Sequence, residues 1–98
     1  MKITKKCSGK TLEIALEGRL DPISAPDLEQ QLNESLNGID DLILDFSGLD
    51  YISSAGLRVM LYARQVLLGR GSVKIVHANE LVREVFTVTG MDGIIKLE

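Results

Sequence analysis

Tryptophan is absent from this chain of 98 residues, and cysteine and histidine occur once each, as Cys7 and His77. A lone cysteine closes no internal disulfide, and one Cys with one His falls short of the four ligands of a structural zinc site. Redox and metal chemistry therefore drop out of the expected functions. Long apolar runs are missing too: stretches such as Val66-Leu67-Leu68 are far shorter than the roughly 20 residues that span a bilayer. The N-terminus, Met1-Lys2-Ile3-Thr4-Lys5-Lys6, is charged but lacks the apolar stretch and small-residue cleavage site of a secretory signal. No membrane insertion and a cytoplasmic location are the expectations.

An excess of positive charge is also absent. The net charge is −3, which argues against the basic surface that non-specific, direct nucleic-acid binding requires. Charge is unevenly placed along the chain. Residues 1 to 50 carry ten acids against five bases, or −5, and residues 51 to 98 carry four against six, or +2. That split suggests a partner surface with a preferred sign, or simply a solvated face.

What is present is apolar patterning: 45% of residues are hydrophobic, spread over the whole length, which suits one small domain covering residues 1–98. Ile3 to Cys7 and Thr11 to Glu17 read as strands, with Leu12, Ile14 and Leu16 alternating in the second, and Ser8-Gly9-Lys10 makes them a hairpin. After Gly18-Arg19-Leu20-Asp21-Pro22, Ser24 is placed as an N-cap with Asp27 three residues on and Ile23 positioned to staple against Leu28. Leu28, Leu32 and Leu36 then predict an amphipathic helix ending at Asn37-Gly38.

The run Leu42 to Phe46 predicts an interior strand buried on both faces. A polar turn leads from it to Ser53-Ser54-Ala55-Gly56 and a second helix through Leu68, closed by Gly69 and Gly71. Val73 to His77 is the next strand, Asn79 caps a third helix stopped by Gly90, and Ile94-Ile95 forms a last short strand. The order β-β-α-β-α-β-α-β implies an α/β fold with a mixed, mainly parallel sheet and an antiparallel start.

Few residues offer chemistry. His77 falls at a strand end, where a structural or solvent-facing imidazole is expected. Asp40-Asp41 reads as a solvated turn, and Asp45 and Asp50 lack a neighbouring base. No GxGxxG or GxxxxGK[ST] loop is present to cradle a nucleotide. The chain is not expected to be an enzyme, and no cofactor is expected.

The segment Ser53-Ser54-Ala55-Gly56 is different. One serine suffices as an N-cap, worth about 0.5–2 kcal/mol over alanine, so the second leaves a spare hydroxyl near the backbone N–H groups at the positive end of the helix dipole. Ala55 and Gly56 keep its surroundings open to another protein.

The stretch Leu42-Ile43-Leu44-Asp45-Phe46-Ser47-Gly48-Leu49-Asp50-Tyr51-Ile52-Ser53-Ser54-Ala55-Gly56-Leu57 resembles the signature of the STAS domain family, specifically bacterial anti-sigma factor antagonists. Gly18-Arg19-Leu20-Asp21 is similar to the family's entry into its first helix, and Asn79 through Gly90-Met91 to its last helix and loop. In such antagonists, the resemblance implies, a serine at the start of the second helix is phosphorylated by the partner anti-sigma factor, an ATP-using serine kinase. The unphosphorylated form binds that kinase and frees a sigma factor, and a PP2C-type phosphatase resets the switch. Aligned on Gly56-Leu57, the phosphorylated position is Ser54, with Ser53 the alternative; Ser53 stands where the family commonly has Asp, and Ala55 where it has a second Ser or Thr.

The expected partner-binding surface comprises Asp21, Ser53, Ser54, Ala55, Gly56 and Arg58, although Asp21 also suits a solvated turn before Pro22 and Arg58 a surface helix charge. The other reading is an unphosphorylated STAS adaptor in a signalling scaffold or a membrane transporter complex, in which Ser54 is only part of a cap.

Overall fold

The computed structural model describes all residues from Met1 to Glu98. Five strands, β1 (Lys2–Ser8), β2 (Thr11–Leu20), β3 (Asp41–Ile52), β4 (Val73–Val76) and β5 (Lys96–Leu97), lie in the sheet in sequence order. β1 pairs antiparallel with β2, and every later pair is parallel. The crossovers run through α1 (Ala25–Ser35), α2 (Ser54–Leu67) and α3 (Glu80–Thr89), which is the expected mixed α/β order. No helix is long and apolar enough to cross a membrane.

Because the parallel strands follow one another across the sheet, right-handed crossovers put all three helices on the same face. The buried strand residues agree. In the register, Leu12, Leu42 and Val73 stand side by side, as do Ile14, Leu44 and Ile75, and all belong to one continuous core with Leu28 and Leu32 of α1, Met60 and Ala63 of α2, and Val82 and Phe86 of α3. The opposite face carries Glu13, Ala15, Ile43, Asp45, Lys74 and Val76, all half-buried. β3 is thus central as expected, but it alternates between a packed and an open face and is not buried on both.

On the open face the lysines of β1 stand against acids of β2: Lys6 faces Glu13, and Lys2 lies 3.8 Å from Glu17. Part of the N-terminal acidity is therefore balanced locally. The same lysines mark an outer edge strand that is unattractive to further strands.

β3 is longer than its sequence suggests. Ser47, Gly48 and Asp50 read as a polar turn, yet the strand continues to Ile52. It does so by bulging. Ala15 pairs with Asp45 but Glu17 with Gly48, and Gly18 pairs with Leu49 but Arg19 with Tyr51, so β3 twice carries one more residue than β2. At the first bulge the Asp45 carboxylate accepts the Ser47 N–H at 3.0 Å. β4 pairs only with Leu42 to Asp45, leaving the rest of β3 without that neighbour. Asn79 compensates in part: its amide donates to the Leu49 carbonyl at 3.1 Å while its Oδ1 accepts the Val82 N–H at 2.8 Å, capping α3.

Other local expectations shift. β4 stops at Val76, and His77 adopts a left-handed conformation with φ 61°, its Nδ1 3.1 Å from Asp45 Oδ1. Gly90, with φ 77°, ends α3 as an αL cap, the conformation that costs glycine least. A 3-10 turn over Met91–Gly93 then delays the last strand to Lys96–Leu97, while Ile95, expected in that strand, is buried ahead of it. α1 ends at Ser35, short of Asn37-Gly38, with buried Leu36 as its C-cap.

Replacing Asn79 removes both a helix cap and the donor to β3. We expect Asn79→Ala to lower stability by about 1–3 kcal/mol, read as a reduced urea midpoint with unchanged slope. An unchanged midpoint would refute the bridging role.

Candidate functional site

β2 and β3 run parallel and end together, with Leu20 opposite Ile52. The next residue, Ser53, donates its N–H to the Leu20 carbonyl at 2.9 Å and so extends the ladder by one bond. There the chain turns into α2. Ser53 is extended at φ −98°, ψ 175°, and its hydroxyl accepts the Gly56 N–H at 3.5 Å. Ser53 is therefore the N-cap, and Ser54 is the first helical residue.

Gly56 sets how closely this turn approaches the sheet. It is buried, and a Cβ placed on it would lie 2.7 Å from Leu20 Cγ and 2.8 Å from Ile52 Cγ1. Only a residue without a side chain lets the helix sit down on the ends of β2 and β3. With Gly56 turned inward, Ser54 and Arg58 are exposed and Ala55 is half-buried. The Ser54 hydroxyl makes no hydrogen bond within the protein, so the serine that the cap does not use faces solvent. Gly56, expected among the partner-binding residues, supports that surface from beneath.

Asp21 lies on the adjoining turn from β2 to α1. Its Oδ1 accepts the N–H groups of Ile23 and Ser24, both at 3.0 Å. The Ser24 hydroxyl donates to the Arg19 carbonyl at 2.7 Å and accepts the Asp21 N–H at 3.0 Å, with Asp21 Oδ1 at 3.2 Å. These bonds explain two departures from expectation. Ser24 occupies the N-cap position, but its side chain folds back on the preceding turn and caps no helical N–H. The curl of the turn also directs Ile23 outward, 90% exposed, so it forms no staple with buried Leu28. The signal was present in Asp21-Pro22-Ile23-Ser24, whose Asp and Ser favour self-bonded turns.

Between this turn and α2 lies an open groove of ≈ 320 Å³ lined by Pro22, Ala25, Pro26 and Glu29 on one side and Ala55, Arg58 and Val59 on the other. It joins the start of α1 to the start of α2. Asp21, Ser53, Ser54, Ala55 and Arg58 are thus gathered at one end of the molecule, although Asp21 spends its Oδ1 on its own turn. Exposed Ile23 and the groove were not legible as part of this site. Behind the turn, the Arg19 guanidinium lies 4.4 Å from the centre of the Tyr51 ring, a cation–π contact between the ends of β2 and β3.

Two carboxyls are held below their ordinary pKa: Asp21 by the Ser24 N–H foremost, then the Ile23 N–H, the Ser24 hydroxyl and the Arg19 charge; Asp45 by the Ser47 N–H foremost, then by His77. Both groups bind protons more readily in the unfolded chain. Their stabilisation is present above the ordinary carboxylate pKa near 3.8 and is lost as pH falls through the folded values. We expect Asp21→Asn to lose less stability than the parent chain on acidification below pH ~4, measured by urea titration; parallel acid limbs would show that the turn does not need the ionised carboxyl. For Gly56→Ala, crowding by Leu20 and Ile52 outweighs the gain in helix propensity, and stability falls by about 1–2 kcal/mol. A stabilised variant would contradict the close-packing account.

A family model described as "Mlab, STAS domain" matches residues 3–97. The protein BtrV of Bordetella bronchiseptica, named as an anti-sigma factor antagonist, is 37% identical over 96 residues, which cover 96% of this chain and 83% of BtrV. The fold is shared with an anti-sigma factor antagonist from Mycobacterium paratuberculosis, with TM-score 0.89 and 21% identity over 98% of this chain and 83% of the other. It is also shared with the anti-sigma factor antagonist SpoIIAA. Its unphosphorylated form gives TM-score 0.87 and 19% identity, covering 99% of this chain and 88% of that one. The phosphorylated form, from Bacillus, gives 0.77 and 18%, covering 99% and 91%.

Proposed function

The chain belongs to the STAS domain family, among the anti-sigma factor antagonists, and we propose that it is a partner switch controlled by phosphorylation of Ser54. The observation that carries this reading is the division of labour between the two serines: Ser53 caps α2 and Ser54 is exposed with its hydroxyl unengaged. The anti-sigma factor is a serine kinase. In its active site the Ser54 oxygen attacks the γ-phosphorus of ATP, the bond to the bridging oxygen breaks, ADP leaves, and the hydroxyl proton passes to a base on the kinase. Unphosphorylated, the antagonist occupies the kinase and a sigma factor is released; a PP2C-type phosphatase hydrolyses the phosphoserine and restores the binding form.

Electrostatics supports a switch in binding with little change of shape. A phosphate adds about −1.5 to −2 charges, and the first turn of a helix accommodates negative charge through its dipole and free N–H groups. SpoIIAA, of the same fold, is known in unphosphorylated and phosphorylated forms, and both match this chain over nearly its whole length. At a close-packed interface the same charge is costly, and each 1.4 kcal/mol is tenfold in affinity. The docking surface combines the Ser53–Ala55 turn and Arg58 with Asp21, exposed Ile23 and the groove; Gly56 acts by holding the turn in place.

Incubation with the candidate kinase and ATP, followed by mass spectrometry, should place one phosphate on Ser54. Ser54→Ala should bind the kinase and remain unmodified, and Ser54→Asp should lose at least about tenfold in affinity, about 1.4 kcal/mol, with an unchanged circular dichroism spectrum. Phosphate on Ser53 would move the switch by one residue. Undiminished binding by Ser54→Asp would favour the unphosphorylated adaptor.

A further inference from the structure

We propose that the outer face of α3 is a second docking surface, distinct from the turn that carries Ser54, and that it receives a basic amphipathic helix of a partner protein. α3 faces the core with Val82 and Phe86, both fully buried. Of its other apolar residues only Val85 also reaches the core, packing against its edge. Leu81 is 52% exposed and Val88 75%, with Val85 half-buried between them. At about 100° per residue these three fall within about 60° of one another, a stripe about 10 Å long at 1.5 Å per residue. Spacing of i, i+4 and i+7 is that of the anchors through which helices bind one another.

The charge beside the stripe selects the occupant. Glu80 and Glu84, one turn apart, lie along the flank of the stripe away from the core, and neither forms an ion pair. Arg83, the only base on α3, is engaged elsewhere: its Nε donates to the Ala78 carbonyl at 3.2 Å and its Nη2 to the Glu98 carbonyl at 2.7 Å. The surface is therefore apolar with an acidic border that no basic side chain pairs, Glu80 being held in the first turn by the helix dipole. An anionic membrane is repelled by such a border. A second copy packed antiparallel across a two-fold axis would set the Glu84 flank against itself, a like-charge contact. A helix with its own apolar stripe bordered by Lys or Arg meets both features at once.

The test uses the full chain and two labelled synthetic helical peptides, each with leucines at i, i+4 and i+7, one flanked by lysines and the other by glutamates. The lysine peptide should bind and shift the amide resonances of residues 80–89. Leu81→Ser with Val88→Ser should weaken it at least tenfold, and Glu80→Lys with Glu84→Lys should turn the preference towards the glutamate peptide. Ser54→Asp should leave the lysine peptide's affinity unchanged, which separates this surface from the proposed switch. These substituted positions are exposed or on the helix surface, and circular dichroism verifies that the variants fold. Equal binding of both peptides, resonance shifts confined to the start of α2, or no binding would overturn the proposal. So would a dimer in sedimentation equilibrium that Val88→Glu dissociates, which would assign the face to a second copy, or binding to anionic phospholipid vesicles that the same substitution abolishes.

Discussion

The candidate functional end of this domain depends on a contact in which one partner has no side chain. Gly56 lets the first turn of α2 rest on Leu20 and Ile52, and the Ser53 N–H joins the end of β2 at the same level. Together they fix where α2 begins and which way its first residues point. With Gly56 inward and Ser53 used as the cap, Ser54 has no inward role left. An exposed hydroxyl at a capped helix start is thus a consequence of close packing behind it.

That packing is possible because the core lies on one side of the sheet. Three crossovers in the same direction place α1, α2 and α3 together over Leu12, Ile14, Leu42, Leu44 and their neighbours, while the other face remains half-covered. β3 extends well past β4 and accommodates the mismatch with β2 through two bulges. Its far end carries Ile52 to the level of Leu20, and Asn79 ties the same region to α3. The two sides of the candidate docking surface, the turn after β2 and the turn after β3, are therefore neighbours through strand pairing.

The candidate site has a self-bonded part and an accessible part. Asp21, Ser24 and the backbone of the intervening turn satisfy one another and push Ile23 into solvent. Ser54 and Arg58 project from a helix whose start is already capped. In the proposed function this small domain with few reactive groups is acted upon: Ser54 is the hydroxyl offered to a partner's chemistry, and the groove beside it is part of the surface that the partner grips. Of the acids in the first half, Glu13 and Glu17 stand against β1 lysines.

Much of this was legible in the order of residues. The period of Leu28, Leu32 and Leu36, the alternation of Leu12, Ile14 and Leu16, the caps at Ser53 and Asn79 and the stop at Gly90 are local signals, governed by side-chain spacing and by hydrogen bonds over a few residues. They determined the element order, the fold class and the position of the spare serine. The continuation of β3 through Ser47, Gly48 and Asp50, the exposure of Ile23, the left-handed His77 and the delayed β5 were decided only in the tertiary structure. Each depends on a partner distant in the chain or on a turn folding back upon itself: β2 sustains the bulged strand, Asp45 pairs with His77, and Asp21 turns Ile23 away from Leu28. Local propensity is set by neighbours along the chain, whereas strand length, burial and exposure are set by what the completed sheet and helices leave beside each residue.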